Sequence, residues 1–381
     1  MCKTINFHLN NQCNYHCKFC FAHKCGATRQ LDFKSQIELV KILCAREEVK
    51  KINFVGGEPT LLGENLKKLL KTVKSCGDVK TSVTINGSRI DAQWVADYAP
   101  YLDILTLSVD SDQKYTNQLA GRCDESGKAL SPEHILSLAD ACRRNNILLK
   151  INTVVSRFNV SETLADLINK IRPFRWKILQ VLEVADENSR SFGEYAVTKE
   201  EFENYVSRQN AKTHPSVEIV KEDNELMRGS YLMVNPAGCF FDNTYGKYTI
   251  SQPILDLGFQ KALEQIHFNE RKFKARGGIY SIPDKGKTIG PFFKSTHFIH
   301  RQAERTISDT QLSKILERIN GFYNGKGVFI VNSMLMKEVG LNRRGQSLII
   351  AFDRNVLVTL FLIANVTNYM YEHPFSCKIL L

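Results

Sequence analysis

From residue 4 to residue 182 short β-branched apolar runs alternate with stretches of helical period, and this rhythm limits the fold more than any other feature of the chain. Strand-like runs fall at 4–9, 51–55, 81–85, 104–109, 148–155 and 177–182. Helical periodicity fills the gaps near 33–44, 64–74, 92–98, 133–144 and 160–171. Strand, helix, strand is the signature of parallel pairing, because parallel neighbours need a long crossover that packs on the sheet. The expected class is α/β, and six such units predict a partial (βα)6 barrel. An open doubly wound sheet has the same rhythm, and periodicity alone does not separate the two.

The 381 residues, 43% hydrophobic and 24% charged, describe two or three ordinary globular domains at ~150 residues each and exclude disorder, collagen and coiled coil. The longest nearly apolar run, 356–366, contains Thr359 and Asn365 and falls short of the ~20 residues that cross a bilayer. The N-terminus lacks a basic region followed by an apolar run, so no membrane and a cytoplasmic location are expected. A net charge of +11 favours anionic partners. Eleven cysteines is an odd number, expected as reduced thiols or metal ligands rather than a disulfide framework.

Residues 1–182 are therefore expected to form the barrel. Beyond them the rhythm loosens into an acidic loop at 183–194, a helix at 199–210 and short strands at 217–220 and 231–234. This segment, 183–282, reads as an extension that covers the active site. Turn residues over 282–291 form a linker, and 292–381 are expected to make a small, relatively basic α+β domain.

Cys13, Cys17 and Cys20 form a Cys-x3-Cys-x2-Cys run just after the first strand. Thiolates are soft ligands suited to iron-sulfur clusters or zinc. No second pair with zinc-ribbon spacing follows, and three ligands would leave one iron of a 4Fe-4S cluster open to a cosubstrate. The second chemical segment is Phe54-Val-Gly-Gly-Glu-Pro-Thr60 at the end of the second strand. There Gly56 and Gly57 let a small molecule approach the backbone, and Glu58 can accept from an ammonium. Together the two segments resemble the radical S-adenosylmethionine superfamily, whose barrels bind S-adenosyl-L-methionine on the open iron.

The segments Asn6-Phe-His-Leu9, Cys13-Asn-Tyr-His-Cys-Lys-Phe-Cys-Phe21, Lys51-Ile-Asn-Phe-Val-Gly-Gly-Glu-Pro59, Lys150-Ile-Asn152, Arg157-Phe-Asn-Val160 and Arg175-Trp-Lys-Ile178 further resemble the viperins, over about residues 3–281. That resemblance implies conversion of a ribonucleoside triphosphate (CTP, UTP or GTP) to its 3'-deoxy-3',4'-didehydro analogue, a terminator of viral RNA synthesis. A 5'-deoxyadenosyl radical would abstract the 4' hydrogen, the 3' hydroxyl would leave as water, and an external electron donor would complete the balance. It further implies that Lys51, Lys150, Arg175 and Lys177 hold the triphosphate, that Ser108 and Arg122 take the S-adenosylmethionine carboxylate, that Asn6 and Asn152 line the nucleotide, and that Tyr231 stands near the ribose. The family's tail loop contributes a lysine to the phosphates. Here Ile279 occupies that position, and Arg276 is expected to supply the charge.

A lysine or arginine taken at random is a solvated surface group, but cations at strand ends beside these segments suit phosphate and carboxylate. No side chain can be matched to a base edge. The other cysteines, Cys25 included, default to small core residues. Two further readings stay open: a radical enzyme acting on a peptide or another nucleotide, and an RNA-binding protein with a structural cluster. In the last segment, His297, Arg301 and Arg305 fall at helical spacing. They resemble the set in toxin-type ribonucleases of the barnase and RelE-like group, implying an RNA or protein partner for 292–381.

Overall fold

Six short strands follow the alternation of the sequence: β1 (Lys3–His8), β2 (Val49–Val55), β3 (Lys80–Ile85), β4 (Ile104–Ser108), β5 (Leu148–Val155) and β6 (Arg175–Gln180). The computed structural model describes residues 3–27, 29–278, 288–289, 292–294, 296–317, 326–341, 346–353, 356–364 and 377–380. It divides into two units, Met1–Thr213 with Ile219–Tyr280, and His214–Glu218 with Ser281–Leu381.

In the first unit β1 to β6 lie side by side in chain order, each parallel to the next. A doubly wound sheet requires the strand order to reverse, and here it never does. The sheet is the curved wall of a partial barrel, and β1 and β6 do not pair with each other. Two strands of the extension flank it instead: β7 (Glu218–Glu222) lies beside β6, and β8 (Leu232–Val234) pairs in parallel with β1. An antiparallel hairpin, β9 (Cys239–Asp242) and β10 (Thr249–Pro253), continues from β8.

Period two decides what each strand shows to the interior. Ile5, Phe7, Ile52, Phe54, Ile151, Trp176 and Ile178 are fully buried on the helix-covered face. The intervening Thr4, Asn6 and His8, Lys51 and Asn53, Lys150 and Asn152, and Lys177 line cavities inside the curve. The strands are therefore buried on both faces, as parallel strands usually are, but one face is polar by design of the site.

Two of the boundaries that differ from expectation bear on the site. The helix expected at 160–171 spans Ala165–Ile171, because Asn159 bonds Ser156 N, Asp110 O and Val154 O and closes a turn there. The first helical turn is then completed by Gln209, whose Oε1 accepts from Leu164 N at 2.9 Å. Strand β6 starts two residues earlier than read, which brings Arg175 into the sheet opposite Lys150. The helix Lys114–Leu119 and the β9–β10 hairpin were not anticipated.

The second unit holds a sheet in the order β11 (Thr288–Ile289), β12 (Phe292–Lys294), β15 (Val356–Ile363), β14 (Ser347–Asp353), β13 (Lys326–Val331), β16 (Cys377–Leu380). Its centre, β13 to β15, is antiparallel, and Phe298, Leu312, Phe329, Leu348 and Leu360 are buried together in its core. The helix Thr296–Glu304 ends before Arg305, and Thr306 turns with φ +54°. Arg305 N still donates to Arg301 O at 3.0 Å, so Arg305 caps the helix one turn after Arg301, whose guanidinium pairs with Glu304 at 2.9 Å. The side chain of His297, and Ile279, lie outside the described residues, as does most of the 282–291 linker. No helix among the described residues is long and apolar enough to cross a membrane.

Candidate active site

The alternating strand faces stack three tiers of side chains inside the barrel wall. At the C-terminal ends of the strands a cavity of about 260 Å³ is lined by His8, Cys13, Cys17, Cys20, Gly56, Gly57, Glu58, Ser108 and Arg122, among others. At their N-terminal ends a smaller cavity of about 80 Å³ is lined by Lys51, Lys150, Arg175, Lys177 and Arg276. Asn6, Asn53, Asn152 and Tyr231 line both and form the belt between them. In that belt Asn53 Nδ2 donates to Asn6 Oδ1 at 2.9 Å, and Thr84 donates to Asn53 Oδ1 at 3.2 Å. Asn152 Oδ1 is buried and finds no hydrogen-bond partner among the described residues.

The thiol loop is clamped from two sides. Gly57 N donates to Asn10 O at 2.8 Å and Glu58 N to Gln12 O at 2.7 Å, tying the end of β2 to the residues that lead into Cys13. A Cβ on Gly57 would lie 1.8 Å from Gln12 O, and one on Gly56, whose φ is +147°, would meet Asn10 O at 2.7 Å. The two glycines thus admit a neighbouring stretch of the same chain, where the sequence suggested a ligand. On the other side His16 N and Lys18 N donate to Gly121 O and Ala120 O at 3.1 and 3.0 Å.

The three thiols fit a cluster by their chemistry. Burial pushes Cys17 up to about 12 and Cys20 up to about 11, and raises Cys13 as well, so each would release a proton on meeting metal. Donors already point at one sulfur: Tyr15 N lies 3.4 Å from Cys13 Sγ, with Asn86 Nδ2 at 4.0 Å. Among the described residues no three His, Cys, Asp or Glu groups gather as they would around a single ion. A cluster spreads its thiolates over separate irons and does not need that. Cys25, fully buried, lies 3.3 Å from His8 Nδ1 and packs in the core beside Cys20. Burial brings His8 down to about 3, so it is neutral.

Around the thiols Glu58 accepts from Thr60 Oγ1 at 2.6 Å, Thr60 N at 3.1 Å and Asn86 N at 2.8 Å. Arg122 pairs with the buried Asp110 and spans the Phe19 ring at 5.6 Å. Asp110 also accepts from Val154 N at 2.7 Å, so it bolts Arg122 to β5. Asp110→Ala strands a buried guanidinium and is expected to lower stability by about 3–5 kcal/mol, read as a fall in the denaturation midpoint; an unchanged midpoint would refute the bolt.

The lower cavity gathers five cations from β2, β5, β6 and the turn after the helix Glu270–Ala275. Behind them lies Glu222, fully buried, with Lys177 Nζ at 2.5 Å and Arg276 Nη1 at 3.1 Å. The Tyr231 hydroxyl donates to the same carboxylate and accepts from Lys177 Nζ at 3.2 Å. Burial tends to raise Glu222, but the two cations outweigh it and bring the carboxyl down to about 2. Burial carries Lys177 down to about 7 despite Glu222. Burial first, then Lys177, Lys51 and Arg175, hold Lys150 well below the usual lysine range.

Every residue singled out for cluster, cosubstrate and substrate thus lines one of two adjoining cavities. Sequence reading missed Asn53, Asp110, Gly121 and Glu222. Asn53 was legible, standing two residues after Lys51 as Asn152 stands after Lys150. Nothing local marks Glu222, which is distant in sequence from both of its cations.

A family model described as the Radical SAM superfamily matches residues 8–171. The structure of anSMEcpe with bound AdoMet aligns with a TM-score of 0.50 over 74% of this chain and 82% of that chain at 17% identity, a likeness of fold. The fold and the thiol loop define a radical S-adenosylmethionine enzyme, whose cofactors are a 4Fe-4S cluster and S-adenosyl-L-methionine. An "S-adenosylmethionine-dependent nucleotide dehydratase" of Flammeovirga pacifica is 37% identical over 284 residues, 73% of this chain and 95% of that protein. One of Lacinutrix mariniflava is 39% identical over 285 residues, though the match spans only 58% of its length. The "S-adenosylmethionine-dependent nucleotide dehydratase RSAD2" of Oncorhynchus mykiss is 35% identical over 289 residues, 80% of that protein. The chain belongs to this family, the viperins.

Proposed function

We propose that the chain dehydrates a ribonucleoside triphosphate to its 3'-deoxy-3',4'-didehydro analogue. One observation carries the reading: a thiol-lined cavity and a cation-lined cavity adjoin inside one barrel wall, separated by a belt of amides and one tyrosine. A nucleotide spanning the belt would put its phosphates among the cations and its ribose toward the thiols. The names of the relatives support the same substrate class.

Cys13, Cys17 and Cys20 would hold the cluster, with Gly56, Gly57 and Glu58 edging the ammonium of S-adenosylmethionine and Ser108 and Arg122 its carboxylate. Cluster and cosubstrate supply, when bound, a 5'-deoxyadenosyl radical able to take the 4' hydrogen. The protein's part is placement. Lys51, Lys150, Arg175, Lys177 and Arg276 would fix the triphosphate through charge-assisted bonds. Asn152 Oδ1, otherwise unpaired, would accept from a ribose hydroxyl, with Asn6 beside it. Lys177 Nζ and the Tyr231 hydroxyl form a polar pair at the belt, suited to assist departure of the 3' hydroxyl as water. Departure as water takes up one proton, and one electron from an external donor completes the net dehydration.

The test is anaerobic reconstitution with iron and sulfide, then reaction with S-adenosylmethionine, dithionite and CTP, UTP or GTP singly. A triphosphate lighter by one water, formed with equimolar 5'-deoxyadenosine and absent in Cys17→Ala, is the expected product by mass spectrometry. Deoxyadenosine formed without any change in the triphosphates would overturn the substrate.

A further inference from the structure

We infer that Glu222 is a positioning residue of the phosphate cavity, its buried carboxylate holding Lys177, Arg276 and Tyr231 in place for the triphosphate. The inference rests on the reading of that cavity as the phosphate site.

Glu222 does not line the cavity. It ends β7, and from behind the wall it gathers three lining residues from three separate elements: Lys177 of β6, Tyr231 just before β8, and Arg276 after the helix Glu270–Ala275. The Arg276 guanidinium lies over the Tyr231 ring at 3.7 Å, and its Nη2 donates to Ser230 O at 3.1 Å, so the carboxylate fixes a cation and an aromatic plane together. Among the described residues the lining carries five cations and no acid.

A buried ion pair is poor value as fold glue, since an apolar side chain would fill the position without the cost of desolvation. What a carboxylate provides here is orientation before the ligand arrives. Lys177 is faced by Arg175 on its own strand, Lys150 on β5 and Arg276, with Lys51 on β2 facing Lys150. Like charges at that spacing repel one another and favour loss of a proton. Glu222 is the group that opposes this, favouring the ammonium form of Lys177 and fixing where its Nζ lies.

Glu222→Gln preserves shape and removes the charge. In the reconstituted enzyme it is expected to raise KM for the nucleoside triphosphate by about ten-fold or more, the loss of one well-placed charged contact, while kcat falls less. The alkaline rise of KM should move to lower pH, because Lys177 loses its supporting anion. Glu222→Asp should recover part of both, and it stands in if the glutamine variant does not fold. A purely structural role predicts instead a lower melting temperature with an unmoved pH profile, and that result, or an unchanged KM, would overturn the inference. If the wild-type enzyme converted no triphosphate, the functional reading would fall separately. Calorimetric titration of wild type and Glu222→Gln with inorganic triphosphate would then decide the role of Glu222 alone, equal affinities refuting it.

Discussion

Gly57→Ala is expected to abolish cluster loading and 5'-deoxyadenosine formation while leaving the fold of the barrel recognisable. The added methyl would lie 1.8 Å from Gln12 O and 2.3 Å from Gln12 C, and both are backbone atoms that no rotamer change can move aside. Relief must come from separating the end of β2 from residues 10–12, which breaks the Gly57–Asn10 and Glu58–Gln12 hydrogen bonds and shifts Cys13 away from Cys17 and Cys20. A displacement of about 1 Å at reacting groups can cost about 100-fold in rate, and here the misplaced group is itself a ligand. The measurement is the visible absorption of the reconstituted cluster together with deoxyadenosine yield. Gly193→Ala is the control, since a methyl there meets nothing within 4 Å, and it should load normally. A Gly57→Ala enzyme with full cluster absorption and turnover would show that the clamp is not needed.

This clamp also shows where the sequence was readable and where it was not. The thiols and the Gly-Gly-Glu segment were found because chemistry fixes residue type and spacing within one loop. Their contact with each other was invisible, since Gly57 and Gln12 are neighbours only once β1 and β2 pair. The six strands were legible as β-branched apolar runs between helical stretches, and in the structure period two puts Lys51 with Asn53 and Lys150 with Asn152 on the inner face. The start of β6 was read two residues late, because Arg175 looked like a loop cation when charged residues are ordinarily excluded from buried strands. It is tolerated there because the inner face of this barrel is polar.

The extension was the least legible part. Glu222 stands in a charged run, Lys221-Glu222-Asp223, and only its burial beside Lys177 and Arg276 separates it from the exposed Lys221, which pairs with Glu203. Hairpin β9–β10 carried turn signals before its first strand and between its strands, Asn235-Pro-Ala-Gly238 and Asp242-Asn-Thr-Tyr-Gly246, but the strands are four and five residues long and fall below what periodicity can resolve. In the second unit the helical spacing of cations runs as far as Arg305, the cap residue before a left-handed Thr306 turns the chain, and threonine gives no warning of that conformation.

Binding of the triphosphate is expected to take up protons and to weaken as pH rises above about 7, and Lys150 should account for much of the effect. In the ligand-free cavity Lys177 titrates at about 7 and is largely neutral near pH 8, while burial and the neighbouring cations hold Lys150 well below its usual range. A polyanion beside them favours the ammonium forms and raises both values. The bound state therefore holds more protons than the free state above about pH 7, and by linkage affinity falls about ten-fold per pH unit for each proton taken up. Below about 7 Lys177 is already charged, and its share of the slope is lost. Calorimetric titration with inorganic triphosphate, in buffers of different ionisation heat, counts the protons directly. Lys150→Met should remove up to one of them and weaken binding by about 10–100-fold, the range for a lost charged hydrogen bond. Uptake of no protons at pH 8, or an unchanged count in Lys150→Met, would mean that these lysines do not meet the phosphates, and the triphosphate would have to bind elsewhere in the barrel.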